Sequence, residues 1–231
     1  MFPLSDDNPT RTTPYVTLAL IAANIVVFIH ELSLTSSGLN QFFQLYAVIP
    51  RELTNSFRGI PINQSVPELL TLVTSQFLHG GFMHVGGNML FLWIFGNNIE
   101  DRLGHLKYLI FYITCGILAA LSQWFFSMSS PIPSLGASGA IAGVMGAYII
   151  RFPGAQINTL VFLGFFITKI RIPAILFLGI WFLQQAFSSF ASLNVPSDIG
   201  MNSGGIAYWA HAGGFVFGAI LGPLMGLFSE E

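Results

Sequence analysis

Six apolar blocks, near residues 15–33, 82–99, 107–127, 137–152, 172–190 and 206–228, leave this chain little choice of solvent. Most reach the ~20 residues that an α-helix needs to cross a hydrocarbon core, and flanking residues complete the shorter ones. Hydrophobic residues make up 53% of the 231 and charged residues only 8%, against about 25% charged in a soluble domain. The mean hydropathy is +0.70. A surface so poor in charge faces lipid. Backbone amides find no water in hydrocarbon, so the blocks are expected to be helices rather than open strands. The reading is an all-α polytopic membrane protein of six spans, both ends on one side. Residues 1–14 and 229–231 form tails, and 15–228 form one membrane domain.

The separators carry their own signals. Residues 34–81 make a long first loop, partly amphipathic through Phe42, Phe43, Leu45, Tyr46, Val48 and Ile49, that lies in the interface. Glu100-Asp101-Arg102-Leu103-Gly104 reads as a polar turn and cap, and 127–133 as a Ser/Pro breaker. Pro153-Gly154 ends the fourth helix, and Pro173 suits the first turn of the fifth. Residues 157–167 are apolar, but 11 residues span only ~17 Å as a helix, short of a ~30 Å core. They are expected at the interface or as a short hairpin packed on the bundle. No small-x-small cleavage pattern follows the apolar run 15–29, so the first block is read as a retained helix.

Orientation follows from the basic residues. With the N-terminus in the cytoplasm, Arg11, Arg102, Lys107, Arg151, Lys169 and Arg171 lie inside, and only Arg51 and Arg58 lie outside. The even-numbered spans then run from outside to inside. His84 and Asn88 open the second, Ser138 the fourth and His211 the sixth, so all four sit at one depth towards the outer leaflet. Counting 157–167 as a span would send His211 to the opposite side.

Each of these residues has an ordinary reading. A serine beside glycine is usually a packing residue, and a histidine at a helix end can bond a loop carbonyl or line a transport path. At one depth they make a set. Serine needs a histidine within hydrogen-bond reach to become a nucleophile, and a tetrahedral intermediate needs fixed donors where charge develops. Ser138 and His211 supply the first pair, and His84, Asn88 and the Ser138 amide supply the donors. Gly139, Gly143 and Gly146 on the fourth helix, and Gly214, Gly218 and Gly222 below His211, form smooth faces that permit close backbone contact.

No intramembrane acid completes a triad; a Ser–His dyad is favoured, with Asp198 the remaining third partner. Gln184 and Gln185 in the fifth helix are read as cross-bundle hydrogen-bonders. His30, His79 and His105 are read as solvated helix-end or loop residues. There is no His-Glu-x-x-His, no aspartate within a span and no lysine-bearing phosphate loop, which excludes a zinc protease, an aspartyl protease and a nucleotide site of those types. A formal charge of -2 excludes a nucleic-acid partner, and the lone Cys115 excludes an internal disulfide.

The ordered set His84-x-x-x-Asn88, Gly136-Ala137-Ser138-Gly139 and Ala210-His211-Ala212-Gly213-Gly214, with Gly218 following, resembles the rhomboid family of intramembrane serine proteases. The resemblance covers roughly residues 15–228. It implies a six-helix bundle with a water-filled cavity open to the outer face and no metal or organic cofactor. Ser138 would be nucleophile and His211 base and then acid, with His84, Asn88 and the Ser138 amide as oxyanion hole. Substrates would be single-span membrane proteins cleaved in or beside their helix. Gly136, Trp181 and Phe182 would position substrate or gate its entry. Members often carry an aromatic four residues after the serine, where this chain has Ala142, which leaves Tyr208 to help orient His211. They also often carry a Trp-Arg pair in the first loop, and 34–81 holds no tryptophan. The reading from another class is a catalytically silent polytopic protein or transporter that binds a ligand or client helix.

Overall fold

A computed structural model describes residues 2–61, 65–163, 166–192 and 207–229. Its helices are α1 (Tyr15–Ser33), α2 (Ser36–Tyr46), α3 (Pro50–Phe57), α4 (Glu68–Thr74), α5 (Phe82–Leu103), α6 (His105–Phe126), α7 (Ser138–Arg151), α8 (Ala174–Ser192) and α9 (Tyr208–Leu224). The strands are β1 (Phe2–Asp6), β2 (Gln156–Leu163) and β3 (Phe166–Pro173). Among the described residues, three helices, α1, α6 and α8, are long and apolar enough to cross a membrane by length and composition.

The centre of the molecule is α7. Every residue from Gly139 to Tyr148 is buried, as expected of a helix apolar on all sides. Helices α5, α6, α8 and α9 pack around it, and α1 packs on α5. The outer helices turn apolar faces outward, among them Val26, Ile29, Ile110, Leu183 and Phe187. Water does not tolerate so continuous an apolar belt, whereas lipid does.

α7 meets α9 along the glycine seam. A Cβ on Gly214 would fall on the carbonyl of Gly139, one on Gly218 on that of Gly143, and one on Gly146 on that of Phe215. The two backbones therefore touch, and larger residues would force them apart.

One end of the bundle is closed by the N-terminal segment and a sheet. β2 and β3 form an antiparallel hairpin, and β1 adds antiparallel to the free edge of β2. The run 157–167 is therefore the body of a hairpin, and residues 2–6, expected as a tail, are its third strand. The small sheet departs from the all-α expectation. Pro173 ends β3 rather than sitting in a first helical turn, a strand end being a place where its missing N–H costs nothing.

Glu100 and Asp101, expected in a turn, lie in the last turn of α5; Glu100 caps a different helix and Asp101 holds the chain leading into it. Glu100 is fully buried and accepts from the amides of Val16 (2.8 Å) and Thr17 (2.7 Å) at the start of α1. Asp101 takes the amides of Arg11 and Thr12 at 3.0 and 2.8 Å. Carboxylates at a helix N-terminus satisfy orphan donors and the positive end of the dipole. Gly104, at φ 73°, turns the chain from α5 directly into α6.

The other end is closed by residues 34–61 and 65–81, folded as α2, α3, α4 and a 3₁₀ turn. Ala47, Val48 and Ile49 are about 1% exposed, so this segment is packed structure. The missing loop tryptophan is replaced from the bundle. Trp124 of α6 donates its indole N–H to Thr54 Oγ1 at 2.9 Å and lies edge-on to Phe57 at 5.1 Å.

Candidate active site

Ser138 is the first residue of α7, so its backbone N–H belongs to the orphan donors of a helix N-terminus. The chain leading into it is held by the segment that carries α2, α3 and α4. Val48 and Ser134 exchange backbone hydrogen bonds (3.0 and 2.7 Å), Ser130 O accepts from the Arg51 amide (3.0 Å), and Ser75 O accepts from the Gly136 amide (2.8 Å). Irregular backbone inside a membrane protein survives only where other protein satisfies it. Residues 130–136 meet that condition.

His211 lies in the first turn of α9, and its Nε2 stands 2.8 Å from Ser138 Oγ. On its other side Nδ1 stands 2.9 Å from Oε1 of Gln185, a buried side chain on α8. The Trp181 ring, one turn before Gln185, is 5.9 Å from the imidazole at 34°. α8 thus supplies the ring contact absent at Ala142, and the Nδ1 hydrogen bond goes to Gln185 rather than to Tyr208. Phe182 stacks on Phe215 of α9 at 4.7 Å. Trp181 and Phe182 therefore both lie against α9. Asp198 falls outside the described residues.

His84 comes from the start of α5 and faces Gly136. Gly136 has φ 124°; a Cβ there would lie 2.7 Å from His84 Nε2 and 3.7 Å from Ser138 Oγ. His84 Nδ1 accepts a long hydrogen bond from the Gly80 amide, 3.4 Å. With Nδ1 as acceptor the neutral ring carries its proton on Nε2, aimed at the space beside Gly136 and Ser138.

Asn88, one turn on, is anchored by a residue expected to be solvated. Asn88 Nδ2 is 2.9 Å from His79 Nε2, and His79 is 1% exposed. Burial, then the neighbouring His84, pulls the His79 imidazole down to about 4, so it stays neutral and can accept from the amide. The His79 backbone N–H in turn donates to both oxygens of Glu31 of α1, at 3.1 and 3.3 Å. His79 is buried because Glu31, 48 residues away, pulls its loop inward.

A small cavity of about 20 Å³, room for about one water, adjoins Ser138 and is lined by Ser75, Gln76, Gly116, Ser134 and Gly136 among others. Gln76 Oε1 lies buried there without a hydrogen-bond partner among the described residues, a site suited to water. His79 and His84 pack edge to face at 5.0 Å, yet no third His, Cys, Asp or Glu joins them as a metal set among the described residues.

The structure thus brings Ser138, His211 and Gln185 into one hydrogen-bonded row. It sets His84 across Gly136 from the serine and ties Asn88 to His79. Sequence reasoning gave Gln185 no site role and left His79 outside the site. The signal for Gln185 was an amide in an apolar helix, which in lipid must find a partner.

An apolar helical bundle holding a serine–histidine pair at its helix N-termini defines a membrane-embedded protein of hydrolase-like site geometry. The Rhomboid domain family model matches residues 66–228, and the chain belongs to the rhomboid family. It is 29% identical over 214 residues to the mitochondrial Rhomboid protein 1 of Saccharomyces cerevisiae, covering 88% of this chain and 51% of that one. To Rhomboid protease GluP of Bacillus subtilis it is 35% identical over 161 residues, covering 69% of this chain and 28% of that one. To the human mitochondrial presenilin-associated rhomboid-like protein it is 28% identical over 167 residues, 71% of this chain and 38% of that one. The chain spans about half the length of the yeast relative and less of the other two.

Proposed function

We propose that this protein is an intramembrane serine endopeptidase that cleaves single-span membrane proteins in or beside their helix. The observation that carries the reading is the 2.8 Å approach of His211 Nε2 to Ser138 Oγ at the N-terminus of α7. In this mechanism His211 takes the Ser138 proton as Oγ attacks the scissile carbonyl. The oxyanion forms beside the Ser138 amide, His84 Nε2–H and the Asn88 amide, one such donor being worth ~3 kcal/mol. His211 then protonates the leaving amine, and a water, activated in turn by His211, hydrolyses the acyl-enzyme.

In this reading α1, α5, α6, α7, α8 and α9 are six spans, with the N-terminus and the sheet in the cytoplasm. α7 has 14 residues, ~21 Å of helix. With its last residue at the cytoplasmic boundary of a ~30 Å core, Ser138 lies ~9 Å below the outer boundary. Water reaches it through the small cavity, and substrate enters from lipid past α8, with Trp181 and Phe182 as gate residues.

A fluorophosphonate probe applied to detergent-solubilised protein tests the reading. Wild type should label and Ser138→Ala should not, while His211→Ala should label at least about 10²-fold more slowly. Labelling that persists in Ser138→Ala removes Ser138 as nucleophile. A wild type that neither labels nor cleaves a single-span substrate favours the catalytically silent membrane-binding reading.

A further inference from the structure

We propose that Gln185 is a positioning residue that fixes the tautomer of His211, an amide oxygen standing in the role for which serine hydrolases commonly use a carboxylate. The inference rests on the reading of Ser138 and His211 as a catalytic pair. Imidazole can act as base towards Ser138 only if Nε2 holds a lone pair, which in the neutral ring places the proton on Nδ1. Oε1 of Gln185 can only accept, and at 2.9 Å it receives that proton. A reversed amide would offer an N–H to Nδ1 and drive the ring proton to Nε2, facing the serine hydroxyl 2.8 Å away. Ser138 would then have no base.

The surroundings favour one orientation of the ring. Gln185 is 8% exposed, and its backbone carbonyl accepts from Ser189 Oγ at 2.8 Å within α8. Trp181 lies alongside the imidazole at 5.9 Å, so α8 constrains the ring at its edge and on its flank. Among the described residues, His211 meets Ser138 on α7 and the neighbouring His84 on α5; its partners on α8, Gln185 and Trp181, carry no charge. When Ser138 gives up its proton, the imidazolium therefore meets a dipole on Nδ1, and that bond becomes charge-assisted and stronger.

¹⁵N-histidine-labelled protein in micelles reports the tautomer without any substrate, with His211 assigned by difference from His211→Ala. The expected result is an Nδ1–H, Nε2-lone-pair ring in wild type and in Gln185→Glu, whose oxygen still accepts. In Gln185→Leu the ring redistributes towards Nε2–H. On a single-span substrate, kcat in Gln185→Leu falls about 10- to 100-fold with KM within about twofold, and Gln185→Glu recovers most of it. A wild-type ring protonated on Nε2, or a Gln185→Leu ring still wholly Nδ1–H, overturns the assignment. Should Gln185→Leu fail to fold, the wild-type and Gln185→Glu spectra decide. A wild type that cleaves nothing, yet shows the expected tautomer and its loss in Gln185→Leu, overturns the protease reading and upholds the hydrogen bond.

Discussion

Gly136 is where backbone strain and site geometry coincide. Its φ of 124° is costly for any residue with a Cβ, roughly 1–2 kcal/mol. The added methyl would also lie 2.7 Å from His84 Nε2. Gly136→Ala is therefore expected to displace His84 and lower kcat about 10²-fold, the scale of losing one oxyanion donor. Gly154→Ala, at the sheet end with nothing within 4 Å of its added Cβ, is the control and should stay near wild type in cleavage assays. Equal activity in the two variants would remove His84 from the site. The sequence pointed to Ser138, His211, His84 and Asn88 because polar groups in apolar helices are rare, and the structure sets Ser138 against His211 with His84 across Gly136. Gln185 was visible as an amide without an address. Its partner depends on the rotation of α8 against α9, and no spacing within either helix specifies that. His79 looked like a solvated loop residue because its burial depends on Glu31, on a helix separated from it by the segment that carries α2, α3 and α4.

At the scale of elements, β1 reaches back to the helix that carries the serine. Asp6 Oδ2 accepts from Tyr148 Oη of α7 at 2.5 Å and from Asn98 Nδ2 of α5 at 2.9 Å. The far end of α7 is thereby tied to the N-terminal strand. Burial raises the Asp6 carboxyl above the ordinary aspartate value, and the bond from Tyr148 offsets only part of that. A folded-state value above the unfolded one means that the folded protein binds more protons in between. The Asp6 contribution is then fully present below the unfolded value and is lost as pH rises through the folded one. Asp6→Asn keeps an oxygen for both donors and removes the titration. The stability difference between wild type and Asp6→Asn should thus favour wild type increasingly as pH falls across that acid window, read by thermal unfolding in detergent. A difference that does not vary with pH would show that Asp6 has no raised titration in the fold. The hairpin over 156–173 was legible as a non-span because its apolar run is too short for the core. Its third strand was not, since the register of β1 on β2 joins residues more than 140 positions apart, and local pattern carries no information about such pairings.

For the whole molecule, the two ends of the bundle differ in their basic residues, and that difference predicts how it sits in a bilayer. The sheet, the Glu100 cap and Arg102, Arg151, Lys169 and Arg171 share one end, where Arg102 and Arg151 lie at 5.7 and 5.0 Å from the ring of Phe152. The other end holds the segment that carries α2, α3 and α4, with Arg51 and Arg58, and the mouth of the site. Basic residues concentrate on the cytoplasmic side of short loops, so the sheet end should be cytoplasmic and the site end external. Exposed single cysteines test this directly. Arg58 and Lys169 are both exposed, whereas the native Cys115 is fully buried and should contribute little background. In sealed right-side-out vesicles, a membrane-impermeant maleimide should label Arg58→Cys and leave Lys169→Cys unmodified until detergent is added. The reverse pattern would invert the molecule. Labelling of both in intact vesicles would place the hairpin and the segment carrying Arg58 on one face, and the expected six-span parity would then fail.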